Sequence, residues 1–230
     1  LAGIKDLSGL LTGSLCPKIK INIPSGIQSR HDKIKIKSME RLEKHLLSMG
    51  WKLLSTAGIH TPEANVEIRI ANGRYQGRPD ILALISMDDG YMLAVVEVKS
   101  SEGILENIST FVQASAYAIP IYSCMKTPSN CKIEISNKNK LILETRHGSL
   151  YAVMNNNLEE YHISKEEISD FKVYLAGPSS LKDITGQSIP IIEMLIQSHQ
   201  RIHHPETIVP GPWCRFCELF ANEKCTAGLS

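Results

Sequence analysis

Residues 80–100 read DILALISMDDGYMLAVVEVKS, two apolar runs on either side of Asp88, Asp89 and Gly90. An Asp-Gly pair between apolar runs favours a tight turn with positive φ angles, so the stretch predicts a β-hairpin. Arms this uniformly apolar suit strands covered on both faces. Side chains alternate across a strand, so Glu97 and Lys99 project from the same face. With Asp89 and Gly90 as a two-residue loop, positions summing to 179 pair, and Asp80 stands opposite Lys99. With Asp88 and Asp89 as the loop, the sum is 177, and Asp80 stands opposite Glu97. Either register gathers all three charged residues on one face at the open end of the hairpin.

Two carboxylates and an ammonium at the end of apolar strands need a reason, because burying unpaired charge is costly. A salt-bridge cluster is the bland reason. The functional one is that Asp80 and Glu97 hold Mg²⁺ or Mn²⁺ through oxygen, the ligand type suited to hard cations that keep waters and a phosphate. Lys99 then stabilises the attacking hydroxide or the charge developing on phosphorus.

The rest of the chain sets the frame for this trio. At 230 residues and 43% hydrophobic it reads as one compact unit with a real core. No apolar stretch approaches the roughly 20 residues of a membrane span. The first residues, Leu1 to Lys5, lack the order of a secretory signal, and the expectation is a cytoplasmic protein without a membrane partner. Net charge is only +1, but residues 1–60 hold ten basic and four acidic side chains, and the remainder fifteen and twenty. A nucleic acid is therefore expected along the N-terminal third.

Met39, Leu42, Leu46 and Met49 have helical spacing and Gly50 follows as a stop, which predicts a helix over 38–49. Upstream, Lys33 to Lys37 alternates like a strand, yet Ile27, Ile34 and Ser38 equally extend the helix backwards. Residues 66–70 read as a half-exposed strand, and 105–118 as a helix with Leu105, Ile108, Val112, Ser115 and Ile119 on one face, ended or kinked at Pro120. Residues 140–144 and 149–154 suggest a second hairpin around His147 and Gly148. Residues 189–203 suggest a helix with Pro190 near its first turn.

Taken together, Gly77-Arg78-Pro79-Asp80 and Glu97-Val98-Lys99 resemble the PD-(D/E)xK nuclease superfamily. Its RecB-like branch carries a Gln-x-x-x-Tyr motif on the helix after the lysine strand, matched by Gln113 and Tyr117. Residues i and i+4 share a helix face, so both reach one site. The branch also has a metal-assisting histidine on an upstream helix. His31 and His45 are the candidates, about 21 Å apart on one helix. His45 is preferred because it sits on the more convincing helical stretch. The carbonyl of Val98 completes the implied metal set. The resemblance implies an α/β restriction-endonuclease-like core, a mixed central sheet flanked by helices, over about 38–122, with an insertion over 123–188.

Six cysteines are present. Cys214, Cys217 and Cys225 supply three thiolates near the C-terminus, and without a secretory signal such a cluster reads as metal ligation. The layout is most similar to the CRISPR-associated "Cas four" exonucleases, with one cysteine before the core and three after it. This resemblance implies Cys16 as the fourth ligand of a [4Fe-4S] cluster, which caps the core by joining segments 10–24 and 205–230. Structural zinc is the alternative, either on four thiolates or on Cys214 and Cys217 with His199 and His203. Cys124 and Cys131 read as structural.

The expectation from these resemblances is a metal-dependent DNA exonuclease or endonuclease preferring single strands or DNA ends. It would act in CRISPR spacer acquisition, with integrase proteins as partners, or in repair. The basic residues Lys18, Lys20, Arg30, Lys33, Lys35 and Lys37 are the candidate phosphate contacts. A non-catalytic adaptor of the same fold and a zinc-stapled restriction-type endonuclease are the rivals.

Overall fold

The computed structural model describes residues 2–3, 25–70, 73–136, 139–155, 158, 161 and 163–197. Cys16, Lys18, Lys20, His199, His203, Cys214, Cys217 and Cys225 lie outside them, and with them both expected cluster segments. Helix α1 (Ser25–Ser48) settles the ambiguity of residues 33–37 in favour of helix. Ile34, Ser38, Leu42 and Leu46, one turn apart, are buried along one side. After it, the N–H groups of Gly50 and Trp51 close on the carbonyls of Leu47 and Leu46 at 3.1 and 2.9 Å, which ends the helix.

A five-stranded sheet has the order β11 (Leu181–Asp183), β10 (Ile168–Ala176), β6 (Gly90–Val98), β5 (Ile81–Met87), β2 (Lys52–Ala57). It is mixed, because β10 runs parallel to β6 while its other pairs are antiparallel. The hairpin of β5 and β6 turns on Asp88 and Asp89, with Met87 opposite Gly90 and Ile81 opposite Val96. Gly90 opens β6 instead of closing the turn. At φ +134° a Cβ there would stand 2.6 Å from the Glu167 carbonyl oxygen, so β10 approaches too closely for a side chain.

A six-stranded sheet has the order β1 (Ala2–Gly3), β4 (Gly73–Gly77), β3 (Asn65–Ile70), β9 (Gly148–Val153), β8 (Lys140–Thr145), β7 (Lys132–Ser136). The expected second hairpin is β8–β9, but it turns on Arg146 and His147, with Thr145 opposite Gly148. Gly148, at φ +145°, has the Glu67 carbonyl oxygen 2.1 Å from where its Cβ would be. Only glycine lets β3 lie beside β9 there.

Between the sheets lie α2 (Ile108–Tyr117), α3 (Ile119–Lys126) and α4 (Thr185–Gln197). Pro120 starts α3 instead of kinking one long helix, and Ile108, expected on the buried face, is exposed at the first turn of α2. Helix α4 begins at Thr185, whose N–H bonds Asp183 Oδ1 at 2.8 Å, so Pro190 falls inside it and not near its first turn. The larger core fills the space between the two sheets. The smaller joins Leu42 and Leu46 of α1 to Ile81, Ala83, Ile85, Met92, Ala94 and Val96 on the opposite face of the five-stranded sheet. Each fully buried leucine contributes about 2 kcal/mol.

Residues 123–188, expected as an insertion beside the core, supply β7 to β9 and also β10, which lies next to the hairpin's second arm. Cys124 and Cys131 are joined in a disulfide between α3 and the start of β7. Among the described residues, no helix is long and apolar enough to cross a membrane.

Candidate active site

The open end of the β5–β6 hairpin brings together residues from three layers. In the observed register Asp80, one residue before β5, falls opposite Glu97, and its Oδ2 accepts the Val98 N–H at 2.7 Å. The carboxylate thus occupies the last hydrogen-bonding position of the strand pair. Glu97 and Lys99 share the face turned to α2, as alternation requires. Glu97 is 4% exposed, and its Oε1 accepts from Lys99 Nζ at 2.6 Å. Lys99 Nζ also donates to Gln113 Oε1 at 3.3 Å, and Gln113 Nε2 donates to Tyr117 Oη at 3.2 Å. The parallel neighbour steadies this strand end, where Lys99 N–H bonds the Ala176 carbonyl at 2.8 Å.

From the other side α1 delivers a histidine. It is His31, with Nε2 3.4 Å from Asp80 Oδ1 and 3.3 Å from the Val98 carbonyl oxygen. His45, the preferred candidate, is exposed and meets the edge of the Tyr174 ring, centroids 6.2 Å apart. The reason is the run of the helix. Its N-terminal half passes the strand end, and fourteen residues later it has moved to β10. The Asp80 hydrogen bond raises the pKa of His31, with partial burial opposing. Burial, reinforced by nearby Glu97, pushes the Tyr117 phenol far above its ordinary value, so it acts as a neutral hydrogen-bonding group.

The basic stretch divides. Arg30, Lys33 and Lys37 are exposed on α1, but Lys35 is 6% exposed and ion-paired to Glu63 at 2.8 Å. Lys35 lies one turn beyond His31 and shares its inward face, which corrects its place among the open phosphate contacts.

His31 Nε2 thus meets both the Asp80 carboxylate and the Val98 carbonyl oxygen at hydrogen-bonding distance, one imidazole nitrogen and two oxygens at the same strand end. Among the described residues no group of three or more His, Cys, Asp or Glu side chains is arranged to hold a metal. Glu97 is turned to Lys99 and would have to share its carboxylate.

Sequence reading missed the clamps around the turn after β10. Arg41 donates to the carbonyls of Gly177, at 3.0 Å, and Pro178. Glu102 accepts from Ser179 N–H and Oγ, both at 2.7 Å, and from Ser180 Oγ. These bonds hold Glu102 down to a pKa of about 2, the Ser180 hydroxyl being the largest cause. Pairs so distant in sequence leave no local signal. No protein-family model, curated protein or solved structure matches this chain.

Proposed function

We propose that this chain is a metal-dependent deoxyribonuclease with a PD-(D/E)xK type core. The observation that carries the reading is the meeting of Asp80, Glu97, Lys99 and the Val98 carbonyl at one hairpin end, with His31 on one side and Gln113 and Tyr117 on the other. A mixed sheet flanked by helices supports the fold part of the reading.

His31, Asp80, Glu97 and the Val98 carbonyl would hold Mg²⁺ or Mn²⁺, which when bound polarises the phosphoryl group and lowers the pKa of water. Lys99, oriented by Glu97 and Gln113, places an ammonium where negative charge grows as water oxygen bonds to phosphorus and the ester oxygen leaves. Tyr117, kept protonated, fixes the Gln113 amide, and the amide fixes the lysine. Such an arrangement does not choose a base and suits a general phosphodiester substrate. Trimming of DNA ends, for spacer capture or for repair, is the role proposed.

Cleavage of single-stranded DNA with Mn²⁺ tests this. Lys99→Ala and Glu97→Gln should each lower the rate by about 10²–10³-fold while melting cooperatively. Folded variants cutting at the wild-type rate would refute the site. We also propose Cys16, Cys214, Cys217 and Cys225 as ligands of a [4Fe-4S] cluster. The Cys124–Cys131 disulfide leaves those four as the remaining cysteines of the chain. Iron, sulfide and zinc analysis after anaerobic purification decides: about four irons are expected, and zinc without iron rejects the cluster.

A further inference from the structure

The outer face of the six-stranded sheet carries a groove of about 400 Å³ lined by Asn65, Glu67, Gln76, Arg78, Ser149 and Tyr151, among others. Strand register explains the lining. Asn65 stands opposite Tyr151, and Glu67 opposite both Ser149 and Gln76, which makes two neighbouring rows across β4, β3 and β9. Alternation sends Val66 and Leu150 into the core and leaves these rows outward. Arg78 follows β4, and its Nε donates to Asn65 Oδ1 at 3.0 Å, which keeps the guanidinium over the groove.

Two features give the groove a direction and a chemistry. Arg78 precedes Asp80 by two residues, and its main chain lies close enough to the Tyr117 phenol to influence it, so one end of the groove abuts the candidate site. Two strands away, roughly 10 Å, the half-buried Tyr151 ring lies beneath Lys140 Nζ, 5.3 Å from its centroid. A base stacking on the Tyr151 face displaces the mobile Lys140 ammonium, which is then free to meet a phosphate, and the Arg78 guanidinium beyond can meet the next one. Glu67 does not reverse the sign. Its carboxylate is ion-paired to Arg69 at 2.9 Å and to Arg74 at 3.4 Å, so this trio carries net positive charge.

We propose that this groove holds single-stranded DNA leading to Asp80 and Glu97, with one base stacked on Tyr151 and a backbone phosphate on Arg78. The proposal rests on the nuclease reading of that site. Stacking accepts any base but needs it unpaired, so a single strand fits and a duplex does not.

The test is fluorescence anisotropy of a labelled oligothymidylate of about twelve residues with the full chain in EDTA, where binding is read without cleavage. Tyr151→Ala should weaken binding about ten-fold, Tyr151→Phe should bind like wild type, and Arg78→Ala should weaken binding and lower the salt slope by about one. Variants that melt like wild type and bind like it overturn the groove, as does tighter binding of a duplex. Tighter binding of an oligouridylate overturns the assignment to DNA. Cleavage assayed in parallel with Mn²⁺ separates the two readings. Binding through Tyr151 and Arg78 without cleavage keeps the groove and rejects the nuclease; cleavage with wild-type binding by both alanine variants does the reverse.

Discussion

In the five-stranded sheet β5 and β6 are buried almost from end to end, whereas β3, β8 and β9 of the six-stranded sheet alternate buried and open positions. The difference follows from what covers each sheet. Helix α1 lies on one face of the first and the inter-sheet helices on the other, while among the described residues no element packs on the outer face of the six-stranded sheet. A sheet covered twice has room for charge only where its strands end, and there Asp80, Glu97 and Lys99 meet. A sheet covered once can spread polar side chains in rows, which suits a long, repetitive ligand more than a reaction centre.

The comparison breaks most visibly at Leu84, fully buried in β5. Leu84→Ala should cost about 2–5 kcal/mol in chemical denaturation, whereas Ile142→Ala, on the open face of β8, should cost under about 1 kcal/mol. Equal losses would mean that the outer face is covered. Next comes Gly148→Ala, which forces a methyl group into the Glu67 carbonyl. About 3 kcal/mol is expected, with amide exchange accelerating first in β3 and β9.

A smaller effect is expected at the seam between the sheets. Asn155, just after β9, accepts at Oδ1 from the Thr56 N–H at 2.9 Å and the Ser55 hydroxyl at 3.1 Å, and donates from Nδ2 to the Thr56 hydroxyl at 2.8 Å. Asn155→Ala should cost about 2 kcal/mol in chemical denaturation, with a single transition kept by the core the two sheets share. The smallest effect is acid dependence at Glu102. Its pKa is depressed, so its contribution is present above pH 4.5 and is lost as pH falls toward about 2. Wild type should lose melting temperature across that window more steeply than Glu102→Gln.

What could be read from sequence divides along the same line. The hairpin within residues 80–100, the strand at 66–70, the helix stop at Gly50 and the grouping of Asp80 with Glu97 and Lys99 all come from local patterns: apolar runs, alternation and turn residues. The register did not follow from the Asp-Gly pair, because Gly90 answers to the approach of Glu167, in the turn just before β10. Strand β10 was missed altogether. Its parallel pairing with β6 joins residues such as Phe171 and Leu93 across a long crossover, and nothing local to either announces it. The choice of His31 over His45 likewise depends on how α1 crosses the sheet, which helical spacing alone does not contain. Lys35 looked like one more surface lysine until its turn of the helix faced inward toward Glu63.

The turn at Asp88 and Asp89 has a practical corollary. Both residues are exposed, and strands of seven and nine residues, roughly 23 Å or more, separate them from Asp80 and Lys99. A fluorescent tag or affinity peptide spliced between them would hang from the end of the molecule remote from the charged cluster. It offers a handle for single-molecule tethering that leaves both the candidate site and the open sheet face unobstructed.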